Sequence, residues 1–166
     1  MLQRFVYGLI GVALLVLGAC QEYDFKVNDK IVYAPTPLFR DYTIPDTGLS
    51  DCLKQAINDG TVTAASQLIG LDCSFAGIES LEGLSVFTGL RALRLSANQV
   101  RNLVELSNMM ALEALYLDDN KIIDPVPLYG LAKLRELNLS GNPNLQCPKP
   151  GNLTQVTSMV MPQHCP

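Results

Sequence analysis

Apolar and polar positions repeat every 22 residues between residue 68 and about residue 145 of the chain. Four segments align without gaps: LIGLDCSFAGI from Leu68, LRALRLSANQV from Leu90, LEALYLDDNKI from Leu112 and LRELNLSGNPN from Leu134. Two apolar rows run through them, one at Leu71, Leu93, Leu115 and Leu137 and the other at Cys73, Leu95, Leu117 and Leu139. Agreement at this many positions predicts a repeated structural unit.

The alternation around each LxL triplet predicts one β-strand per unit, because alternate residues of a strand point to opposite sides. A single unit of this size cannot bury its leucines, whereas stacked units share one core. Pro125 and Pro127 disfavour a regular helix between the strands. We therefore predict an α/β solenoid of four units, with a parallel concave sheet, a 3₁₀ or extended convex side and no α-helix inside the repeats.

An asparagine follows the strand in three of the four units, at Asn98, Asn120 and Asn142. Its amide can pair with backbone groups of the turn that would otherwise be buried without partners. Together with the leucine pattern, this resembles the leucine-rich repeat family in its internalin-like bacterial form. The resemblance implies a structural asparagine ladder, and Ala76 in the first unit implies that the ladder begins one repeat late.

An open solenoid exposes its core at both ends, so each end requires a cap. Residues 45–67 include PDTGLSDCLKQAINDG, in which Asp46 or Thr47 can cap an amphipathic helix that ends at Gly60. This segment resembles the N-terminal cap of secreted bacterial repeat proteins. Residues 146–166, after the four units at 68–145, are predicted to form the C-terminal cap.

Four of the five cysteines lie in or beside the caps, and four cysteines allow three pairings. Chain locality and the two-cap architecture favour Cys52–Cys73 and Cys147–Cys165. Each bridge would close a loop of about 20 residues and stabilise the fold by roughly 3 kcal/mol. The competing interpretation is zinc, which the lack of a CxxC pair and the single histidine, His164, disfavour. We predict neither a metal nor a cofactor.

The first 20 residues have the pattern of a targeting segment. An apolar run of 15 residues, FVYGLIGVALLVLGA, is shorter than the roughly 20 residues of a bilayer-spanning helix. It ends in LGAC, which resembles the lipobox of bacterial lipoproteins. The resemblance implies a signal peptide over residues 1–19 and lipid on Cys20, and Gln21 favours the outer membrane in Gram-negative members. The alternative is an uncleaved anchor, or a plain signal peptide with an incidental cysteine.

Residues 20–44 are predicted to tether the lipid to the N-terminal cap, either packed in part on the repeats or ordered by a partner. The chain of 166 residues is long enough for one domain with its own core. Its 16 acidic and 12 basic side chains give a formal net charge of −4, which argues against nucleic-acid binding. A net negative charge suits a protein at an anionic envelope.

Function in this architecture would lie on the residues between the leucines. The central outward row is Asp72, Arg94, Tyr116 and Asn138, and Asp118 and Glu136 lie beside it. We predict that these six residues bind a protein or peptide, with Tyr116 and Arg94 as anchors, because aromatic residues and arginine are enriched at binding hot spots. The alternative is a surface tyrosine covered by an arginine stem. In a second row, the alternating charges of Arg91, Glu113 and Arg135 predict an ion-pair ladder.

Asp118 and Asp119 are the adjacent acids that suggest catalysis or calcium binding. Calcium needs about six to eight oxygen ligands, and acid–base catalysis needs two carboxyl groups in one cleft. Successive residues leaving a strand diverge, so we predict solvated turn acids and no enzyme. The sequence favours a lipid-anchored envelope module that binds a protein or peptide through its concave face. The alternative is a structural envelope lipoprotein that docks through its N-terminal tether.

Overall fold

A computed structural model describes residues 25–27, 30–33 and 38–165, and the chain divides into two compact units, Met1–Thr36 and Pro37–Pro166. In the first unit, strands β1 (Phe25–Val27) and β2 (Lys30–Tyr33) pair antiparallel. The predicted signal peptide and the lipidation site at Cys20 lie outside the described residues. Within the described part of the chain, no helix combines the length and the apolar character needed to cross a bilayer.

The second unit is a solenoid with one parallel sheet of five short strands. In order across the sheet they are β3 (Gly70–Asp72), β4 (Ala92–Arg94), β5 (Ala114–Tyr116), β6 (Glu136–Asn138) and β7 (Ser158–Val160). The register places Leu71, Leu93, Leu115 and Leu137 side by side, and none of them is more than 4% exposed. This interior column is the one that the 22-residue period predicts.

The prediction of a four-stranded sheet is wrong, because the C-terminal cap contributes β7. The 22-residue register continues into the cap, where Met159 pairs with Leu137. Val156 and Met161, in the positions of the two neighbouring apolar rows, pack against the core. Valine and methionine replace the leucines there, so the leucine pattern alone does not reveal the fifth strand.

The convex side consists of short 3₁₀ helices and turns. The 3₁₀ helices span Leu84–Val86, Val104–Asn108 and Val126–Leu128, and each buries a single leucine against the core. Between β3 and β6, all described connections lack an α-helix, as Pro125 and Pro127 predict.

The turn asparagines bridge successive coils. The side chain of Asn120 accepts from the N–H of Val100 at 2.9 Å and donates to the carbonyl of Leu95 in the preceding coil at 2.8 Å. Asn98 and Asn142 make the equivalent bonds. The residue at the same point of each turn adopts a left-handed backbone with φ of 54–68°, at Phe75, Ala97, Asp119 and Gly141. That conformation bends the chain so that the buried amide can reach the coil before it.

The N-terminal cap is built on helix α1 (Thr47–Asp59), which buries Leu49, Leu53 and Ile57. Asp46 caps the helix by accepting from the N–H of Leu49 at 3.0 Å. Its other carboxylate oxygen accepts from the N–H groups of Glu79 and Ser80 at 2.9 and 3.1 Å, so one side chain ties the cap to the first repeat.

The end of the predicted tether, residues 38–44, belongs to this cap. Phe39 and Tyr42 contact Phe87 with ring centroids 5.9 and 5.3 Å apart, and the N–H of Phe39 donates to the carbonyl of Val62. The cap therefore begins before residue 45, because these apolar side chains cover the convex side of the first coil.

Two disulfides join Cys52 to Cys73 and Cys147 to Cys165, with Cα–Cα distances of 5.8 and 5.4 Å. They are the pairs that the sequence favours. The first links α1 to the end of β3, and the second closes the C-terminal cap around β7.

Candidate functional site on the concave face

The concave face displays the residues between the buried leucines. Strand register aligns Asp72, Arg94, Tyr116, Asn138 and Val160 in one row across the sheet. Beside them, Gly70, Ala92 and Ala114 are small, so they leave the central row accessible from one side. We call this row, together with Ser96, Asp118, Glu136 and Ser140, the concave face.

Tyr116 lies at the centre of this face between a cation and an anion. The guanidinium carbon of Arg94 is 3.9 Å from the centroid of its ring, and its hydroxyl donates to the Glu136 carboxylate at 2.5 Å. The hydrogen bond to Glu136, with burial and the charge of Glu136, raises the pKa of Tyr116, while Arg94 opposes the rise. The phenol is therefore a neutral hydrogen-bonding group at physiological pH, held in one orientation by both neighbours.

Asp118 forms a second cluster on the same face. Its Oδ1 accepts from the hydroxyl of Ser96 at 2.8 Å and from Nδ2 of Asn138 at 3.1 Å. Asn138 in turn accepts from the hydroxyl of Ser140 at 2.8 Å. This chain of bonds crosses three coils and fixes the amide so that its donors face Asp118.

Asp72 lies at the N-terminal edge of the row and bonds within its own turn. It accepts from the hydroxyl and the N–H of Ser74 at 2.7 and 3.1 Å. The Ser74 hydroxyl is the main cause that lowers the pKa of Asp72, although burial opposes it, and the charge of Arg94 adds to the lowering. The structure thus brings five of the six predicted residues into two adjacent clusters and leaves Asp72 beside them as a fixed anion.

The side chains of Asp118 and Asp119 diverge, which bears on whether the two carboxylates can act together in catalysis or calcium binding. Asp118 is half-buried in the cluster with Ser96, whereas Asp119 adopts the left-handed turn and is exposed. The Asp119 side chain lies over the next coil, where a Cβ added to Gly141 would collide with its Oδ1. The two carboxylates therefore do not line one cleft.

The predicted ion-pair ladder is wrong beyond its first pair. Arg91 and Glu113 approach to 3.8 Å. Arg135 instead donates to the carbonyls of Ala132, Leu134 and Gln155, which ties β6 to the C-terminal cap. The guanidinium of Arg135 is thus bound by two carbonyls of the repeats and by the Gln155 carbonyl of the C-terminal cap rather than by Glu113.

Three features of the surface escaped the sequence reasoning. Val160 extends the central row, and the continued 22-residue offset from Asn138 is the signal that finds it. Phe75 is 84% exposed although its backbone is left-handed. An open cleft of about 540 Å³ lies on the N-terminal cap between α1 and residues 38–44, away from the strands, and Arg40 and Lys54 line it.

Cys147, His164 and Cys165 place their ligand atoms within 4.8 Å of one another. Among the described residues, they are the one group of three His, Cys, Asp or Glu side chains close enough together to hold a metal ion. Both sulfurs are joined in the disulfide, and the His164 Nε2 lies 2.9 Å from the carbonyl of Leu145. These contacts fit a closed cap in which the sulfurs are not thiolate ligands.

No protein-family model matches the chain. The chain is 32% identical over 97 residues to Internalin C of Listeria monocytogenes, a match that covers 53% of this chain and 32% of that protein. Among solved structures, an internalin (inlF) from Listeria monocytogenes superimposes with a TM-score of 0.64 at 31% identity, over 72% of this chain and 37% of that one. Internalin C2 from the same species is 34% identical over 51% of this chain and 37% of that one, with a TM-score of 0.48.

The chain spans about a third of the length of these relatives. The similarity to inlF covers most of the second compact unit, in agreement with the 22-residue period and the parallel sheet. The chain is thus similar to the internalins, and its second compact unit has the fold of a leucine-rich repeat solenoid.

Proposed function

We propose that this chain is a non-catalytic binding module that recognises a protein or peptide through its concave face. The observation that carries the proposal is the position of Tyr116, clamped between Arg94 and Glu136 in the centre of the sheet. Tyrosine and arginine are the residue types most often found at binding hot spots. A side chain that is already fixed also loses less conformational entropy when a partner binds.

The Asp118 cluster supports the same proposal. Asp118, Asn138 and the hydroxyls of Ser96 and Ser140 form a fixed set of hydrogen-bonding groups beside Tyr116. Such a surface suits a polar segment of a partner, with the tyrosine ring as the apolar centre. The similarity to internalins agrees with protein recognition as the use of the face.

The sheet is narrow, since neighbouring strands lie about 4.8 Å apart and five strands span only about 19 Å. A standard interface buries about 800 Å² on each partner. A partner would therefore use nearly the whole concave face, which favours moderate affinity or binding to several sites at once.

The proposal places the module at a bacterial envelope, held by lipid on Cys20 and, with Gln21 following it, at an outer membrane. The support is the LGAC sequence at the end of the apolar run. Two or more acyl chains are needed for stable anchoring. Mass spectrometry of the protein from bacterial cells tests this part, because lipidation would begin the mature chain at Cys20 with a mass increase of several acyl groups. A chain that retains residues 1–19, or an unmodified Cys20, would remove the lipid anchor from the proposal.

Recognition through the face is tested by affinity purification of the full chain from cells that naturally express it. Arg94→Ala and Tyr116→Ala are each expected to reduce recovery of the bound protein at least about tenfold, as hot-spot truncations do. Arg101→Ala is the matched control, since Arg101 is exposed outside the concave face. Equal recovery with Arg94→Ala and Arg101→Ala would contradict binding through this face.

A second candidate function is a structural envelope lipoprotein that docks through its N-terminal tether. It is favoured by the antiparallel pairing of β1 with β2, which gives part of the tether a structure of its own. Deletion of residues 21–36 separates the two functions, because it leaves the cap segment at residues 38–44 in place. Loss of the bound protein on this deletion, but not with Tyr116→Ala, would favour docking through the tether.

A further inference from the structure

Within the described residues, strand β7 pairs with β6 alone, so one side of this strand has no neighbouring strand. The N–H of Ser158 donates to Arg135 at 2.9 Å, and the carbonyl of Val160 accepts from Leu139 at 2.8 Å, so Ser158 and Val160 direct their backbone groups towards β6. Successive residues of a strand alternate in this respect. The N–H and the carbonyl of Met159 therefore point away from the sheet.

The leucine column also ends at this strand without full cover. The four leucines of the column are at most 4% exposed, whereas Met159 in the same column is 47% exposed. Val160 on the opposite face is 50% exposed. Natural proteins protect sheet edges with charges, prolines or bulges because an apolar edge pairs readily with another strand. The sequence SMVM, residues 158–161, has none of these devices at the centre of the edge.

The distribution of charged side chains indicates which partner can pair with this edge strand. The chain carries 16 acidic and 12 basic side chains, and its concave face displays Asp72, Asp118 and Glu136. Residues 146–166 contain no aspartate or glutamate and a single lysine, Lys149. Two copies can therefore meet at their C-terminal caps without the repulsion that their acidic surfaces would impose. A contact of this kind is self-complementary, which is the requirement of a two-fold dimer.

We propose that a second copy of this chain pairs with β7 as an antiparallel strand, with the two-fold axis at Met159. The N–H of Met159 in each copy would donate to the carbonyl of Met159 in the other copy, so the two residues would exchange two hydrogen bonds. The two methionine side chains would lie on the same face and cover each other, which joins the two cores and makes one sheet of ten strands. Because each strand has three residues, the contact is small and the dimer reversible.

Register-specific crosslinking of the full chain in intact bacterial cells tests this pairing. Met159→Cys places two cysteines about 5.5 Å apart between Cα atoms, within the range of a disulfide. Ser158→Cys is the matched control, because residue 158 lies diagonally from its own counterpart at about 7–8 Å. Met159→Cys is expected to give at least about ten times more covalent dimer, linked in peptide maps through the introduced thiol at position 159 of both copies.

The same register predicts that Ser158→Cys crosslinks to Val160→Cys when the two variants are co-expressed. Equal yields for Met159→Cys and Ser158→Cys would overturn the proposal. Dimers linked only through native cysteines would also overturn it. A crosslink from residue 159 to a different protein would overturn it too, and would identify the edge as a site for another partner.

Sedimentation equilibrium of the purified full chain tests the dimer without added thiols. Met159→Lys puts a charge on each side of the two-fold axis and is expected to weaken association at least about tenfold. Met110→Lys, at a convex side chain that is 54% exposed, is the control and is expected to leave association unchanged. A wild-type chain that stays monomeric to about 100 μM, or equal weakening by both lysines, would contradict pairing at β7. The Met159→Cys crosslink and the sedimentation experiment leave the side chains of the concave face unaltered, so failure of this inference is distinguishable from failure of the proposed function.

Discussion

The guanidinium of Arg94 stacks on the ring of Tyr116, with 3.9 Å between its central carbon and the ring centroid. The two residues occupy the same position in consecutive 22-residue units, so the parallel register of β4 and β5 brings them together. Glu136 in the next unit holds the hydroxyl of the same tyrosine. Three residues at nearly equivalent repeat positions thus build one fixed group, which is the centre of the proposed binding surface.

A double-mutant cycle measures how strongly Arg94 and Tyr116 interact in the free protein. We expect Arg94→Ala and Tyr116→Ala to show a coupling free energy of about 0.5–1 kcal/mol in urea unfolding, because both side chains remain partly accessible to water. Arg101→Ala combined with Tyr116→Ala is the control and should show no coupling. A coupling energy near zero for Arg94 and Tyr116 would show that the ring is not clamped by the arginine.

The asparagine ladder predicts a large loss of stability at a polar position. Asn120→Ala removes an acceptor for the N–H of Val100 and donors to the carbonyls of Leu95 and Leu117, all inside the coil. Backbone groups left buried without partners cost about 1–3 kcal/mol each. We expect a loss of at least about 3 kcal/mol in the free energy of unfolding.

Asn144→Ala is the control for this prediction, because Asn144 is exposed. Its change in unfolding free energy should stay within about 0.5 kcal/mol. Similar losses for the two alanine variants would mean that the buried amide does not hold the turns together.

Asp46 makes the stability of the N-terminal cap depend on pH. Burial raises the pKa of its carboxyl, but hydrogen bonds from the N–H groups of Leu49, Glu79, Ser80 and Gly48 outweigh burial, and the pKa is lowered. A lowered pKa in the folded state stabilises the fold above the unfolded pKa of about 3.9. That contribution is lost as the pH falls through the lower folded value.

Asp46→Ala is expected to reduce the free energy of unfolding at pH 7 by about 0.5–2 kcal/mol, the usual effect of removing a helix cap. The difference between wild type and variant should shrink below pH 4. Asp51→Ala, an exposed acid on the same helix, serves as the control. A difference that is constant from pH 7 to pH 3 would contradict the role of the Asp46 carboxylate.

Much of this fold follows from the sequence because its repeat is regular. The 22-residue offset predicts the interior column, and the turn asparagines predict the bonds between coils. The sequence predicts the packing of residues 38–44 only as one of two alternatives for the tether and does not predict β7, for a physical reason. No periodic spacing marks the apolar residues of the first segment, Leu38, Phe39, Tyr42 and Ile44. Around β7, valine and methionine side chains fill the positions that leucines occupy in the repeats, so the leucine pattern does not mark this strand.

The candidate site was predicted as a row but not as clusters. Strand register fixes which residues share a face, and this much can be derived from the offset. Hydrogen bonds depend on side-chain rotamers, so the sequence could not tell that Ser96 and Asn138 would both bind Asp118, or that Arg135 would turn towards the cap. The predicted ion pair between Glu113 and Arg135 is absent from the described residues because the rotamer of Arg135 directs its guanidinium to the cap.

Phe75 offers a test of backbone strain at the turn position. The left-handed conformation costs a bulky residue about 1–2 kcal/mol, and with 84% of its side chain exposed Phe75 recovers little by burial. Phe75→Gly is therefore expected to keep or raise the free energy of unfolding, by up to about 1 kcal/mol, despite the greater freedom of glycine in the unfolded chain. Phe75→Ala keeps the strain and should change stability little. A Phe75→Gly variant less stable than Phe75→Ala would show that no strain is stored there.

The most direct test of recognition through the concave face is photo-crosslinking of the full chain in intact cells that naturally express it. A photoreactive phenylalanine derivative at position 92, where the exposed Ala92 lies beside the intact central row, is compared with the same group at position 104, where Val104 is 59% exposed on the convex side. We predict a defined protein adduct from position 92 that is absent from position 104 and is lost when Arg94→Ala is added. Equal adducts from both positions, or none from position 92, would contradict binding through this face.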